Sequence, residues 1–141
     1  MIAYFDTSAI VKFFLDEPGA DVADRIWNAS DRTITGWLTY AETRAALAAA
    51  RRAARIRQDW GRLRRSVDVR FQEVALVTAG EEIVRLAGDL ADRRHLHGYD
   101  AVHLATALAI GPEVTFVSWD AELSRAAADE GLQVAGSDHT R

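Results

Sequence analysis

The stretch Ile2 to Val11, IAYFDTSAIV, changes character at Asp6. Before the acid the residues are apolar, β-branched or aromatic, as a buried strand requires. After it Thr7 and Ser8 lead into an apolar helical run. A strand that delivers an acid at its C-terminal end and turns at once into a helix is the opening of an α/β unit. In such sheets ligands lie just beyond the carboxyl ends of the strands. Asp6 therefore points at the functional edge, or else it simply caps the first helix, because Asp is a good N-cap.

Downstream, helices are predicted over Ser8 to Leu15, Ala20 to Ala29, Leu38 to Arg55, Asp59 to Val67, Tyr99 to Ile110 and Ala121 to Glu130. Val22, Ala23, Ile26 and Trp27 form the buried stripe of the second. Leu38, Ala41, Ala45 and Ala48 or Ala49 share a face of the third, where small residues allow close packing. Strands are predicted over Thr33 to Thr35, Phe71 to Val77, Val114 to Ser118 and Leu132 to Ala135. Thr78 and Glu81 match a capping box for a helix that turns Ile83, Leu86, Ala87 and Leu90 inward and fades at Asp92 to Arg94. The order β α α β α α β α α β α β predicts a three-layer α/β/α fold with a central parallel sheet of four to five strands. One domain is expected over 1–135, with 136–141 as a tail.

The chain has 141 residues, 49% of them hydrophobic and 27% charged, an ordinary globular composition. With no cysteine it has neither disulfides nor thiolate metal sites, which fits a reducing compartment. Only five residues precede Asp6, so no signal peptide is expected, nor is there a stretch long enough to span a membrane. A cytoplasmic protein is the expectation. The net charge is −4, which argues against a general nucleic-acid binder. Nine arginines nevertheless fall between Arg44 and Arg70, as a solvated helix face or a phosphate-binding patch.

Three further acids stand at element starts or on a helix face able to turn inward: Glu42 in LTYAETRAAL, Asp100 in HGYDAVHLATAL and Asp120 in FVSWDAEL. Each has a plain structural alternative. Glu42 lies three residues after Thr39 and would complete a capping box there, and Asp100 and Asp120 would cap their own helices. Asp120, however, repeats the strand, acid, helix arrangement of Asp6 and belongs at the same sheet edge. Two unit charges about 5 Å apart at an effective dielectric near 20 repel by roughly 3 kcal/mol, so four converging carboxylates need a cation. Hard oxygen donors select Mg²⁺, with Mn²⁺ as a substitute, over zinc. An acidic pocket of that kind supports phosphoryl transfer.

The succession DTSA, YAETRAAL, YDAVHLATA and SWDAEL resembles the PIN domain, in particular the VapC-type toxin ribonucleases of bacterial toxin–antitoxin pairs. The resemblance covers essentially the whole chain, and the third motif with its spacing to the fourth is its most specific part. It implies that Asp6, Glu42, Asp100 and Asp120 are a catalytic quartet holding Mg²⁺. Ser8 then matches a hydroxyl position beside them, and Ser118 stands where the family often has Thr. His103, three residues after Asp100, is implied to be a packed or supporting residue and not a ligand. The implied activity is hydrolysis of RNA, tRNA or another structured RNA, and the implied partners are a VapB-like antitoxin and a second copy of the chain.

Haloacid-dehalogenase-like phosphatases and receiver domains also place Asp after the first strand. Both need a pocket lysine, and the one lysine, Lys12, sits a turn inside the first helix. Ribonuclease-H-like nucleases open with an antiparallel meander, which this chain lacks. The remaining alternative is a non-catalytic PIN-fold module that binds RNA or protein, its acids being caps. His95 and His97 form an H-x-H pair, too few donors to define a metal site. Trp37, Trp60 and Trp119 either stack on bases or pack in a core or dimer interface.

Overall fold

Strand β1, Ile2–Phe5, is fully sequestered from Ala3 onward because it is the middle strand of five. The computed structural model describes residues 1–136. Their order is β1, a short helix α1 (Thr7–Ile10) running into a 3₁₀ turn (Val11–Phe13), α2 (Ala20–Ala29), β2 (Arg32–Gly36), α3 (Trp37–Arg52), α4 (Trp60–Gln72), β3 (Ala75–Val77), α5 (Glu81–Arg94), α6 (Gly98–Ile110), β4 (Val114–Ser118), α7 (Ala121–Asp129) and β5 (Gln133–Gly136). The sheet order is β3-β2-β1-β4-β5 and every pairing is parallel. Tyr4 is in register with Ile34 on one side and Phe116 on the other.

Strand alternation sends β1 side chains into two cores. Tyr4 joins Ile34, Leu90, Leu104, Phe116 and Leu123 under α5, α6 and α7. Ala3 and Phe5 join Ile10, Phe14, Leu47, Leu63, Val67 and Phe71 under α1, α3 and α4. This is the three-layer parallel architecture expected, with its upper number of strands. The inward faces of α2 and α5 are as read, with Ala23, Ala87 and Leu90 buried.

Several local expectations are corrected. The first helix ends as α-helix at Ile10 and tightens into 3₁₀ over Val11–Phe13, and Gly19 then brings the chain back against Trp119. A Cβ on Gly19, which has φ +100°, would lie 2.6 Å from the Trp119 indole nitrogen. The expected strand from Phe71 is helix until Gln72, since Phe71 packs edge-on against Tyr40 at 5.2 Å. Gly80, not Thr78, is the N-cap of α5, and it makes no side-chain capping bond. On α3 the buried residues are Thr39, Thr43, Leu47 and Ala50; Ala41, Ala45 and Ala49 are exposed and Leu38 is 41% exposed, so the small-residue stripe faces outward. Strand β5 takes in Gly136, and the rest of the expected tail, 137–141, lies outside the described residues.

Candidate active site

Asp6 leaves β1 at its carboxyl end and is 2% exposed. Its Oδ1 accepts from the Ala9 amide at 2.9 Å and from Ser8 Oγ at 2.7 Å, while Oδ2 accepts from Ser118 Oγ at 2.5 Å. The Asp6 carboxylate is thus an N-cap, as the plain alternative required, and one Oδ2 lone pair remains uncommitted. The two serines do more than hold Asp6. Ser8 Oγ accepts from the Trp119 amide at 2.8 Å and Ser118 Oγ accepts from the Asp120 amide at 3.0 Å. They join the turn after β1 to the turn after β4, so Asp6 and Asp120 come out at one edge. Asp120 caps α7, its Oδ1 accepting from Leu123 N at 2.9 Å.

Glu42 reaches the same place from one turn inside α3. A capping role with Thr39 is ruled out, because α3 begins at Trp37. Glu42 Oε1 instead accepts from Thr7 Oγ1 at 2.8 Å and pairs with His103 Nε2 at 2.8 Å. His103 is 4% exposed and its Nδ1 meets the Tyr4 hydroxyl at 2.8 Å. Asp100 stands in the first turn of α6 without capping it, since His97 is the N-cap.

The acids sense one another. Burial raises the Asp100 carboxyl above its ordinary 3.8, and Asp120, Asp6 and Glu42 add to that rise against the opposing pull of His103. Burial likewise raises Asp6, outweighing His103 and the donors Ser118, Ser8 and Ala9. Burial would raise Glu42 too, but the His103 and Thr7 bonds prevail and hold it below 4.5. Burial alone would lower His103, yet Glu42, Asp6 and Asp100 together raise it above 6.5. A half-buried edge that pushes two of its carboxyls toward protonation is short of positive charge, and its donors are all hard oxygens. That chemistry fits Mg²⁺ or Mn²⁺. Among the described residues no group of three or more His, Asp or Glu side chains is arranged to hold a metal ion; Asp6 and Glu42 rest on protein donors, each with an oxygen position to spare.

A family model described as the PIN domain matches residues 3–129. Ribonucleases VapC45 and VapC49 of two Mycobacterium tuberculosis strains are each 37% identical over 143 aligned positions, spanning 95% of this chain and 94% of theirs. The chain belongs to the PIN-domain family, among the VapC-type toxin ribonucleases. Among solved structures, PAE2754 from Pyrobaculum aerophilum superposes with a TM-score of 0.72 at 21% identity, covering 95% of this chain and 92% of that one. A VapBC-1 structure from nontypeable Haemophilus influenzae superposes at 0.66 and 18%, covering 96% and 97%. These two likenesses establish the fold.

Other residues singled out in this PIN-domain sequence fall elsewhere. His95 ends α5 with φ 57° and His97 starts α6, both exposed. Trp60 lies beneath the Arg51 guanidinium at 4.7 Å, and Trp119 fills the space beside Gly19. Trp37 alone of the three is exposed, at 54%. Part of the arginine cluster is engaged in packing, Arg70 lying 3.9 Å from the Phe13 ring centroid and 4.8 Å from that of Trp27. Sequence reasoning missed Tyr4 and Thr7 as partners of the site. Their signal was available in outline, since Tyr4 lies two residues before Asp6 and so shares its side of the strand.

Proposed function

We propose that the protein is a divalent-metal-dependent endoribonuclease, the toxin of a toxin–antitoxin pair, in which Asp6, Glu42, Asp100 and Asp120 hold Mg²⁺, or Mn²⁺ in its place. The observation that carries this reading is the hydrogen bonding that ties the turn after β1, with Asp6, to the turn after β4, with Asp120, and that bonds Glu42 of α3 to Thr7 in the first of those turns; the rise of the Asp100 carboxyl beside these acids supports it. Mg²⁺ bound there would polarise the scissile phosphate and help generate the attacking nucleophile from water. The chain's own residues do the placing. Ser8 and Ser118 fix Asp6 relative to Asp120, Thr7 and His103 fix Glu42, and the first turn of α6 presents Asp100 to both. Capping by Asp6 and Asp120 is compatible with this, because each uses Oδ1 for the cap.

The substrate is proposed to be tRNA or another structured RNA. VapC-type relatives imply a VapB-like antitoxin, which would lay an apolar segment along α3, where Trp37, Leu38, Ala41, Ala45 and Ala49 stand exposed, and place an arginine among the acids. The same reading includes a homodimer working in the cytoplasm. Among the described residues no helix is long and apolar enough to cross a membrane.

The decisive experiment is cleavage of total tRNA in Mg²⁺ by wild type and by Asp100→Asn, which keeps the side-chain size and removes the charge. The variant is expected to fold and to lose cleavage; equal rates would remove Asp100 from catalysis. If no tRNA is cut by wild type, the same pair is run on ribosomal RNA.

A further inference from the structure

A chain of buried polar contacts runs from the middle of the sheet to the site. Tyr4 is 1% exposed, stacks on Phe116 with ring centroids 5.6 Å apart and planes 8° off parallel, and puts its hydroxyl 2.8 Å from His103 Nδ1. Gly36 lies beside that hydroxyl, where an added Cβ would stand at 3.4 Å, in ordinary van der Waals contact. The His103 Nε2 then lies 2.8 Å from Glu42 Oε1 and 3.1 Å from Thr7 Oγ1. An ionised carboxylate only accepts hydrogen bonds, so Nε2 is the protonated nitrogen in either charge state of the ring. With Thr7 Oγ1 also donating to Oε1 at 2.8 Å, both lone-pair directions of that oxygen are taken.

We propose that Tyr4 and His103 are positioning residues for Glu42: with Thr7 they occupy Oε1 and so leave Oε2 as the single oxygen that Glu42 offers the cation. This rests on the reading of Glu42 as a metal ligand. The arrangement parallels Asp6, whose Oδ1 is filled by Ser8 and Ala9 while Oδ2 keeps a free lone pair. A glutamate side chain on a helix has three rotatable bonds, and two donors on one oxygen remove most of that freedom before metal arrives. Supporting partners of ligands affect metal affinity by about 10–100-fold. Tyr4 extends the effect to β1, so one strand delivers Asp6 directly and steadies Glu42 through the histidine.

The test is Mn²⁺ affinity of the full chain, measured by calorimetry without RNA, for wild type, Tyr4→Phe, His103→Ala, His103→Gln and Glu42→Gln. His103→Ala is expected to weaken Mn²⁺ by about 10–100-fold. His103→Gln should recover much of the loss, because its amide N–H can donate where Nε2 did, and Tyr4→Phe should fall between. If His103→Ala fails to fold, as judged by circular dichroism in EDTA, Tyr4→Phe and His103→Gln carry the comparison. In metal-free wild type, ¹⁵N spectra should show His103 Nε2 protonated and its resonance displaced in Glu42→Gln. Wild-type affinity in the folded Tyr4 and His103 variants, with weak binding by Glu42→Gln, would overturn the proposal and leave the site reading standing. Wild-type affinity in Glu42→Gln would overturn both.

Discussion

Asp6→Asn separates a metal ligand from a helix cap, because asparagine caps about as well as aspartate. The substitution keeps Oδ1 for the Ala9 amide and Ser8 Oγ, so the cap survives. At Oδ2 it puts an NH₂ against Ser118 Oγ, which must give up its own donation. One hydrogen bond to a charged group is worth about 1.5–3 kcal/mol, and that is the cost side. On the other side, Asp6 and Asp100 repel, and a like charge about 7 Å away contributes about 2 kcal/mol at an effective dielectric near 20. The charge also loses its burial penalty. Relief therefore exceeds cost, and the variant should melt higher than wild type in EDTA at neutral pH. The pH dependence gives an independent sign. Burial raises the Asp6 carboxyl above 3.8 in the folded protein, so its contribution is full below that value and is lost as pH rises through the folded pKa. The gap between variant and wild type in EDTA should accordingly open as pH climbs from about 4. Metal acts oppositely: a hundredfold excess over Kd stabilises wild type by about 2.7 kcal/mol, about 10 °C for a chain of this size. That increment should shrink in the variant. Thermal melts in EDTA and in millimolar Mn²⁺ read all three. An unchanged metal increment in Asp6→Asn would remove Asp6 from the site.

Leu104→Ala, at a fully buried position of α6, should cost about 2–5 kcal/mol in urea unfolding with little change in the metal increment of the surviving folded protein. Gly136→Ala should destabilise, since Gly136 has φ +120° and a Cβ would stand 2.2 Å from the Ser118 carbonyl oxygen. A midpoint unchanged in urea would contradict that contact. Expression of the chain without its neighbouring genes should arrest growth, and Asp100→Asn should not; normal growth with active, folded wild type would count against the toxin role.

Much of the fold was legible because β1 and β4 are short apolar runs that each end in an acid opening a helix, a pattern with few other readings. The acids followed from it: Asp6 and Asp120 share that grammar, while Glu42 and Asp100 needed the spacing of their motifs. What escaped was decided by tertiary packing. Phe71 has strand propensity, yet Tyr40 claims it for α4. The Ala41, Ala45 and Ala49 stripe has the period of a buried face, but Thr39, Thr43 and Leu47 take the interior. His103 is packed, as read, and bonded to Glu42, whereas its partner Tyr4 is 99 positions away and left only a parity argument.

The bonds from Ser118 to Asp6 and from Trp119 to Ser8 close contacts across 112 and 111 positions. During synthesis the central strand is made more than a hundred positions before its β4 neighbour, Val114–Ser118, and one of its edges stays bare until that strand is translated. At about 5–20 residues per second of synthesis, that wait lasts on the order of ten seconds. Asp120 follows β4 directly and caps α7, so its place depends on that late-docking strand. A chain interrupted before β4 keeps Asp6 and its Ser8 partner but lacks the Ser118 hydroxyl and the turn at Trp119 that brace them.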